Sequence, residues 1–432
     1  MGSRLFRRRS ATAAWIYAAV SFGILGTIVA ARVLGLEQFG VFATALAVVA
    51  FFQILLDLTV EESLTKYGFH YVEAKDWGRL RRLFRQMLLL KLAGGALATL
   101  IILALAPVAD ELFDADGVTA ALVAASLLPL VQSSENVAAT AFLLHGRYDL
   151  RGAYQAGSAG LRLLAIALAA PHGVTRTLAA MVLAQALATV VVSAAGYVAL
   201  RRFPAARSRP LGEDVASIRS FVVQSSVATA VISVRTTLVP IVLGVVAGPT
   251  QVGLFRIAQT PQTGLAAASS PARLVLLTEQ TQEWERGNRS GVLDGVRTYS
   301  KWAGGLMLFA VPVFLLAMPW LVRVVFGEEY EGAVDAARIV LFAAAVHFTL
   351  GWTKSLPVTV GRPRLRILTH GLETLVAVPL VAAFGAEWGA TGAAVAVLVS
   401  TIVFAIAWLV VIARLRGEVA AAERAGGAAL QP

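Results

Sequence analysis

Gly35-Leu36-Glu37-Gln38-Phe39-Gly40-Val41-Phe42 stands near the amino end of this 432-residue chain, and Gly248-Pro249-Thr250-Gln251-Val252-Gly253-Leu254-Phe255 stands past its middle. Glycine, glutamine, glycine and phenylalanine recur at the same four places, and Gly248 follows Gly35 by 213 residues. Phe326-Gly327 follows Phe113-Asp114 by the same 213, and Gly361-Arg362 follows Gly146-Arg147 by 215. Both copies are embedded in hydrophobic sequence. The chain therefore reads as a duplicated membrane unit, and two-fold repeats of this kind are used by secondary transporters to build a central site that opens to either side.

Composition agrees. Hydrophobic residues make up 58% of the chain and charged residues 15%, with a mean hydropathy of +0.73, outside the range of a soluble globule of this size. The net charge of +11 does not point to nucleic acid, because the basic residues form short blocks between apolar runs without interleaved base-stacking aromatics. Without cysteine there are no disulfides and no thiolate metal site. The basic start, Met1 to Arg9, precedes an apolar stretch too long for a signal-peptide core, so it reads as the first membrane helix.

A bilayer-crossing helix needs roughly 20 apolar residues. Such cores fall at 13–34, 39–57, 87–108, 118–144, 153–170, 177–200, 221–246, 252–277, 302–325, 333–356, 365–386 and 389–413. The expectation is an all-α polytopic membrane protein of about 12 transmembrane helices in two six-helix pseudo-repeats. Residues 1–205 would form the first lobe, 206–418 the second, and 419–432 a disordered cytoplasmic tail. The Arg- and Pro-rich stretch 201–219 reads as the linker between them.

Charge orients the chain. The two ends and the loops that alternate with them on one side hold 27 of the 37 Lys and Arg residues, while Asp110, Glu111, Asp114, Asp116, Glu328, Glu329, Glu331 and Asp335 fall in the opposite loops. The positive-inside rule places both termini in the cytoplasm.

A charge at mid-bilayer costs roughly 2.5–3.5 kcal/mol on insertion scales and so demands a reason. Arg235 lies about 22 Å along the seventh helix at ~1.5 Å per residue. Arg256 and Arg273 sit near the two ends of the eighth helix, and Arg32 at the outer end of the first. If these helices line one cavity, their guanidiniums form a ladder for an anion, above all phosphate; alternatively each is a salt bridge inside the bundle or an interface anchor. Asp57, Glu61 and Glu62 end the second helix, and Glu135 lies in the fourth. Glu373 lies midway in the eleventh with His370 on the same face. A buried His–Glu pair carries a coupling proton or serves as a structural clamp. Glu135 and His347 lie 212 apart, nearly in repeat register, and Lys354 is a further cation in the tenth helix. Pro240, Pro261, Pro271, Pro312 and Pro319 mark bends.

Signals for enzymes are weak. Asp114-Ala115-Asp116 has the form of a metal-binding pair but sits in a short outer turn, Asn288-Arg289-Ser290 lies on the cytoplasmic side, and no phosphate loop, nucleophile elbow or zinc motif is present.

Ala31-Arg32-Val33-Leu34-Gly35-Leu36-Glu37-Gln38-Phe39-Gly40, Asp57-Leu58 with Leu64-Thr65-Lys66-Tyr67, and Val325-Phe326-Gly327-Glu328-Glu329-Tyr330 with Ala333 resemble, in order and spacing, the polysaccharide-lipid flippases of the multidrug/oligosaccharidyl-lipid/polysaccharide exporter superfamily. Thr59 departs from the glycine that often follows the Asp-Leu pair there. The resemblance covers nearly the whole chain. It implies a V-shaped bundle of six plus six helices, with a central cavity lined by the first, second, seventh and eighth. Arg32, Asp57, Arg235, Arg256 and Arg273 lie on those helices. It further implies that polyprenyl-pyrophosphate-linked oligosaccharide is moved from the inner to the outer leaflet of a bacterial cytoplasmic membrane. The partners would be the bilayer and polysaccharide polymerase machinery, with no cofactor and no enzymatic activity. The two extra helices of the peptidoglycan-precursor branch are not found, which favours a cell-surface polysaccharide. A multidrug or cation exporter of the same superfamily is the rival reading, and a membrane polymerase or ligase a more distant one.

Overall fold

The computed structural model describes residues 2–56, 58–266, 280, 282–284, 286–362 and 364–428. All regular structure among them is helical. The chain opens with α1 (Gly2–Leu56), α2 (Val60–Glu73) and α3 (Trp77–Leu105). The short helices α4 (Ala109–Phe113), α5 (Val118–Ala125), α6 (Leu128–Gln132) and α7 (Glu135–Leu144) follow. Next come α8 (Tyr148–Ala169), α9 (Val174–Arg201), α10 (Asp214–Ala247) and α11 (Pro249–Ala258). The later described elements are α12 (Arg289–Val325), α13 (Val334–Thr349), α14 (Leu356–Thr359) and α15 (Arg364–Ala428).

The repeat is written in the backbone as well as in the letters. Gly35 breaks α1 at φ 74, ψ 168, and Gly248 ends α10 at φ 81, ψ 165. This region of backbone space is open essentially to glycine alone, so the first motif glycine is fixed by the turn it makes. Gly146 and Gly361 match in the same way, at φ 66 and 69. The expected cores 13–34 and 39–57 thus lie on the two sides of the break in α1, and Gly389 (φ 55, ψ −132) divides α15 between the cores 365–386 and 389–413.

Among the described residues seven helices are long and apolar enough to cross a membrane, or eight if the bent α10 is one span. Two of the seven, Ala11–Glu73 and Arg364–Ala421, run to 63 and 58 residues, far beyond the ~20 that one crossing needs. The eighth expected core, 252–277, runs past the described residues at 266. Residues 60–73 form the separate helix α2, whereas Glu61 and Glu62 were expected to end the second helix and Lys66 to lie in the loop after it. The first turn of α2 carries Glu61 and Glu62, where carboxylates complement the helix dipole. At the carboxyl end α15 continues to Ala428, well into the stretch expected to be a disordered tail.

Both fourth spans are interrupted. The first is cut into α5, α6 and α7, where the Ser126 and Ser133 hydroxyls donate to the carbonyls of Val123 and Leu130 at 2.8 and 2.6 Å and Pro129 opens α6. Local bonds of this kind, with a proline, compete with the helical ladder. The second passes from α13 through a 3-10 turn, Gly351–Lys354, into α14. α10 bends by 44° between Val231 and Ser233. Pro240 is too far along to account for it, whereas the Thr236 and Thr237 hydroxyls bond back to the Ser233 and Val234 carbonyls at 2.7 and 3.2 Å, an arrangement that bends helices.

The chain separates into two compact units, Met1–Gly253 and Leu254–Pro432, so α10 groups with the helices before it. In the first unit Leu64, Tyr71, Leu80 and Leu83 are sealed in a core that also takes Leu211 from the linker. That linker lies against α3: Arg81 donates to the carbonyls of Phe203 and Pro204, the Arg209 amide donates to the Gly78 carbonyl at 3.2 Å, and Tyr71 donates to Asp214 at 2.8 Å. The second unit has its own core around Trp352, Leu356, Phe404 and Trp408.

Candidate functional site

Each unit encloses a polar centre within apolar packing. In the first, Glu135 opens α7, immediately after the break in the fourth span. Gln185 on α9 donates through Nε2 to Glu135 Oε2 at 2.9 Å and to Thr189 at 3.1 Å, and Ser158 on α8 donates to Gln185 Oε1 at 3.2 Å. A second pair lies on α2 and α3: Lys91, 1% exposed, reaches Glu61 at 3.0 Å. A buried ammonium is tolerated only beside such a partner. The start of α2 also meets α10, since the Thr59 amide donates to Ser226 Oγ at 2.8 Å and Ser225 donates to Glu62.

In the second unit Glu373 is fully enclosed, at 0% exposure. His347 Nε2 on α13 lies 2.9 Å from Glu373 Oε1, with Thr401 Oγ1 3.3 Å from the same nitrogen, and His370 Nδ1 lies 3.3 Å from Glu373 Oε2. Both imidazoles pack on Phe404, with centroids 5.1 and 5.0 Å away. A carboxylate with an imidazole at each oxygen offers three basic groups that can share a proton.

The two centres occupy corresponding places in the repeat. His347 follows Glu135 by 212 residues, Glu373 follows Ser158 by 215, and Thr401 follows Gln185 by 216. These offsets bracket those of the glycine markers. Each half therefore assembles its centre from residues of its fourth, fifth and sixth spans, beside an interrupted fourth helix. Discontinuous helices are where transporters place ion and substrate groups.

Of the expected site residues, the structure joins His370 to Glu373 and gives Glu135 its partners. Arg235 is half-buried on α10, just past the bend, and is itself engaged by neighbouring groups. Arg32 is exposed on α1, three residues before Gly35, and Arg256 is exposed on α11. Arg32 and Arg235 belong to the first unit and Arg256 to the second. Asp57 and Arg273 lie outside the described residues. The sequence reading did not assign His347, Gln185 and Ser158 to these centres, nor Lys91 to Glu61. The repeat register of Glu135 and His347 was the signal that could have extended to the fifth and sixth spans.

Residues 10–270 match the sequence profile of the family described as polysaccharide biosynthesis protein. The chain belongs to that family. Within this polysaccharide biosynthesis protein the matched region takes in both motif copies and the Glu135 centre, and stops before the His347–Glu373–His370 centre. A stretch of 124 residues is 32% identical to inner membrane protein YghQ of Escherichia coli (strain K12), covering 27% of this chain and 32% of that protein, so the match spans about a third of the relative's length. Among solved structures, the inward closed lipid II flippase MurJ superposes with a TM-score of 0.71 at 10% identity, over 93% of this chain and 87% of that one. An inward-facing multidrug resistance MATE family transporter of the MOP superfamily gives 0.66 at 14%, over 96% and 99%. The polysaccharide biosynthesis protein thus has the polytopic all-helical fold of these transporters.

Proposed function

We propose that this protein is a flippase that carries polyprenyl-pyrophosphate-linked oligosaccharide, a cell-surface polysaccharide precursor, from the inner to the outer leaflet of a bacterial cytoplasmic membrane by alternating access, with both termini cytoplasmic. The observation that carries the reading is Arg235, a guanidinium held half-buried deep in an apolar helix, directly after its bend, in a chain of the polysaccharide biosynthesis family. A guanidinium pairs with phosphate through two parallel hydrogen bonds. In this reading Arg235, Arg256, Arg273 and Arg32 hold the pyrophosphate, the glycan rides among polar side chains, and the polyprenyl tail stays in lipid. Asp57, Glu135, Glu373 and His370 serve ion coupling, and no covalent chemistry is done on the cargo.

The likeness to MATE transporters supports a second reading, export of a cationic drug. Reconstitution into liposomes with a fluorescent polyprenyl-pyrophosphate oligosaccharide in both leaflets, followed by a membrane-impermeant quencher, separates the two. Quenching beyond the outer-leaflet fraction, lost in Arg235→Ala, supports the flippase. Wild-type flipping by that variant, or none by well-folded protein under any imposed ion gradient, rejects it.

A further inference from the structure

The inner end of α9 carries a feature that the transport reading does not use. A trough of about 530 Å³ runs between α9 and the junction of α7 with α8. Its floor is a single stripe of α9, in which Val191, Ala195, Val198 and Arg202 recur at helical spacing. Phe142 and Leu150 form the opposite wall. From Val191 to Arg202 the stripe covers about 16 Å at ~1.5 Å per residue, close to half of a hydrocarbon core of ~30 Å. The trough is therefore one leaflet deep, apolar along its length and basic at one end.

That basic end is fixed in place. Asp149 accepts from Arg147 Nε and Nη2 at 3.0 and 2.9 Å, which sets the guanidinium at the rim. His145 bonds the Ala199 carbonyl at 2.8 Å and stacks on Phe203 at 4.2 Å. Arg202 is exposed, and Arg201 beside it is held over the Tyr197 ring at 4.5 Å. Against these cations the rim sets one carboxylate, Asp149. The amino end of the 22-residue α8 opens at the same rim and adds a positive dipole end.

We propose that this trough is a binding site for an anionic phospholipid, with the phosphate at Arg147 and Arg202 and one acyl chain along the α9 stripe. Basic pockets at the cytoplasmic membrane boundary bind such headgroups, and an apolar floor one leaflet long selects a lipid over a soluble anion. The proposal rests on the membrane fold and on the cytoplasmic placement of the termini, and not on the identity of the cargo.

The test is native mass spectrometry of the whole protein offered equal phosphatidylglycerol and phosphatidylcholine, with thermal melts in each lipid. The wild type is expected to retain phosphatidylglycerol about fivefold over phosphatidylcholine and to melt higher with it. In Arg202→Gln the preference should fall towards unity. Ala195→Trp, which fills the trough from an exposed position, should lose the adduct, while Val190→Trp, exposed outside the trough, should keep it. Equal retention of the two lipids by the wild type, or adducts that survive Ala195→Trp, would overturn the proposal. So would displacement of phosphatidylglycerol by inorganic phosphate, which would mark a soluble-anion site, or by undecaprenyl phosphate, which would mark a site for transported lipid.

Discussion

Gly40 and Gly253, the second glycines of the two motif copies, lie against each other: a β carbon built on Gly253 would stand 3.1 Å from the Gly40 Cα, and one built on Gly40 would run into the Pro249 carbonyl. The repeat thus meets itself at its own signature. The two sites are unequal, because backbone faces the Gly40 position more tightly. Gly40→Ala should destabilise by about 1–3 kcal/mol, the usual cost of overpacking, and Gly253→Ala by less. Thermal melts in detergent check the order, and a larger loss in Gly253→Ala would contradict it.

Glu373, fully enclosed, lies within hydrogen-bond distance of two histidines. Glu373→Ala leaves His347 and His370 without their shared acceptor and should cost about 1–3 kcal/mol. Glu373→Gln keeps the shape and one acceptor oxygen and should fold nearly as well. If the centre couples transport to protons, the Gln variant will still bind cargo but will no longer respond to an imposed pH gradient in liposomes. An unchanged response would leave Glu373 a structural clamp.

Lys91 and Glu61 form a pair that is buried on one side only, since Glu61 stays partly accessible. Lys91→Met should therefore be tolerated better than Lys91→Ala, which also opens a cavity. Combined with Glu61→Gln, Lys91→Met should recover part of its loss. A double-mutant cycle by thermal denaturation should give a coupling of about 0.5–3 kcal/mol, and strictly additive losses would show that the pair contributes nothing.

Ahead of α12, the Glu283 carboxylate accepts from Asn288 Nδ2 at 2.7 Å and from Arg286 Nη1 at 3.0 Å, while Asn288 Oδ1 accepts from the Gly291 amide. The bonds from Asn288 first, and from Arg286 second, hold the Glu283 carboxyl below its usual range. A depressed carboxylate stabilises at pH above its unfolded value, and that contribution is lost as pH falls through the folded value. Protection of the Gly291 amide, corrected for intrinsic exchange, should hold from neutral pH into the ordinary carboxylate range and fall below it. Glu283→Gln should remove that acid step.

Sequence carried the architecture because the signals that build it are local. Gly35 and Gly248 are glycines for a backbone reason, and apolar runs announce spans one by one. The centres were only half legible. His370 and Glu373 share a helix face, so their meeting follows from spacing, but His347 reaches Glu373 from another helix, and only packing brings such residues together. Lys91 was overlooked because one cation hardly alters the hydropathy of the 29-residue α3. The stretch after Glu62 read as loop because Glu61, Glu62 and Lys66 hide a short amphipathic helix from a search for spans.

The connection between the halves has no slack. Phe203, Pro204, Arg209 and Asp214 are each fastened to α2 or α3, so a tether that looks generous in sequence is tied down along its length. Past Asp214 the chain is held again at Ser225 and Ser226, so α10 is tied to the start of α2 on the near side of the bend that precedes Arg235.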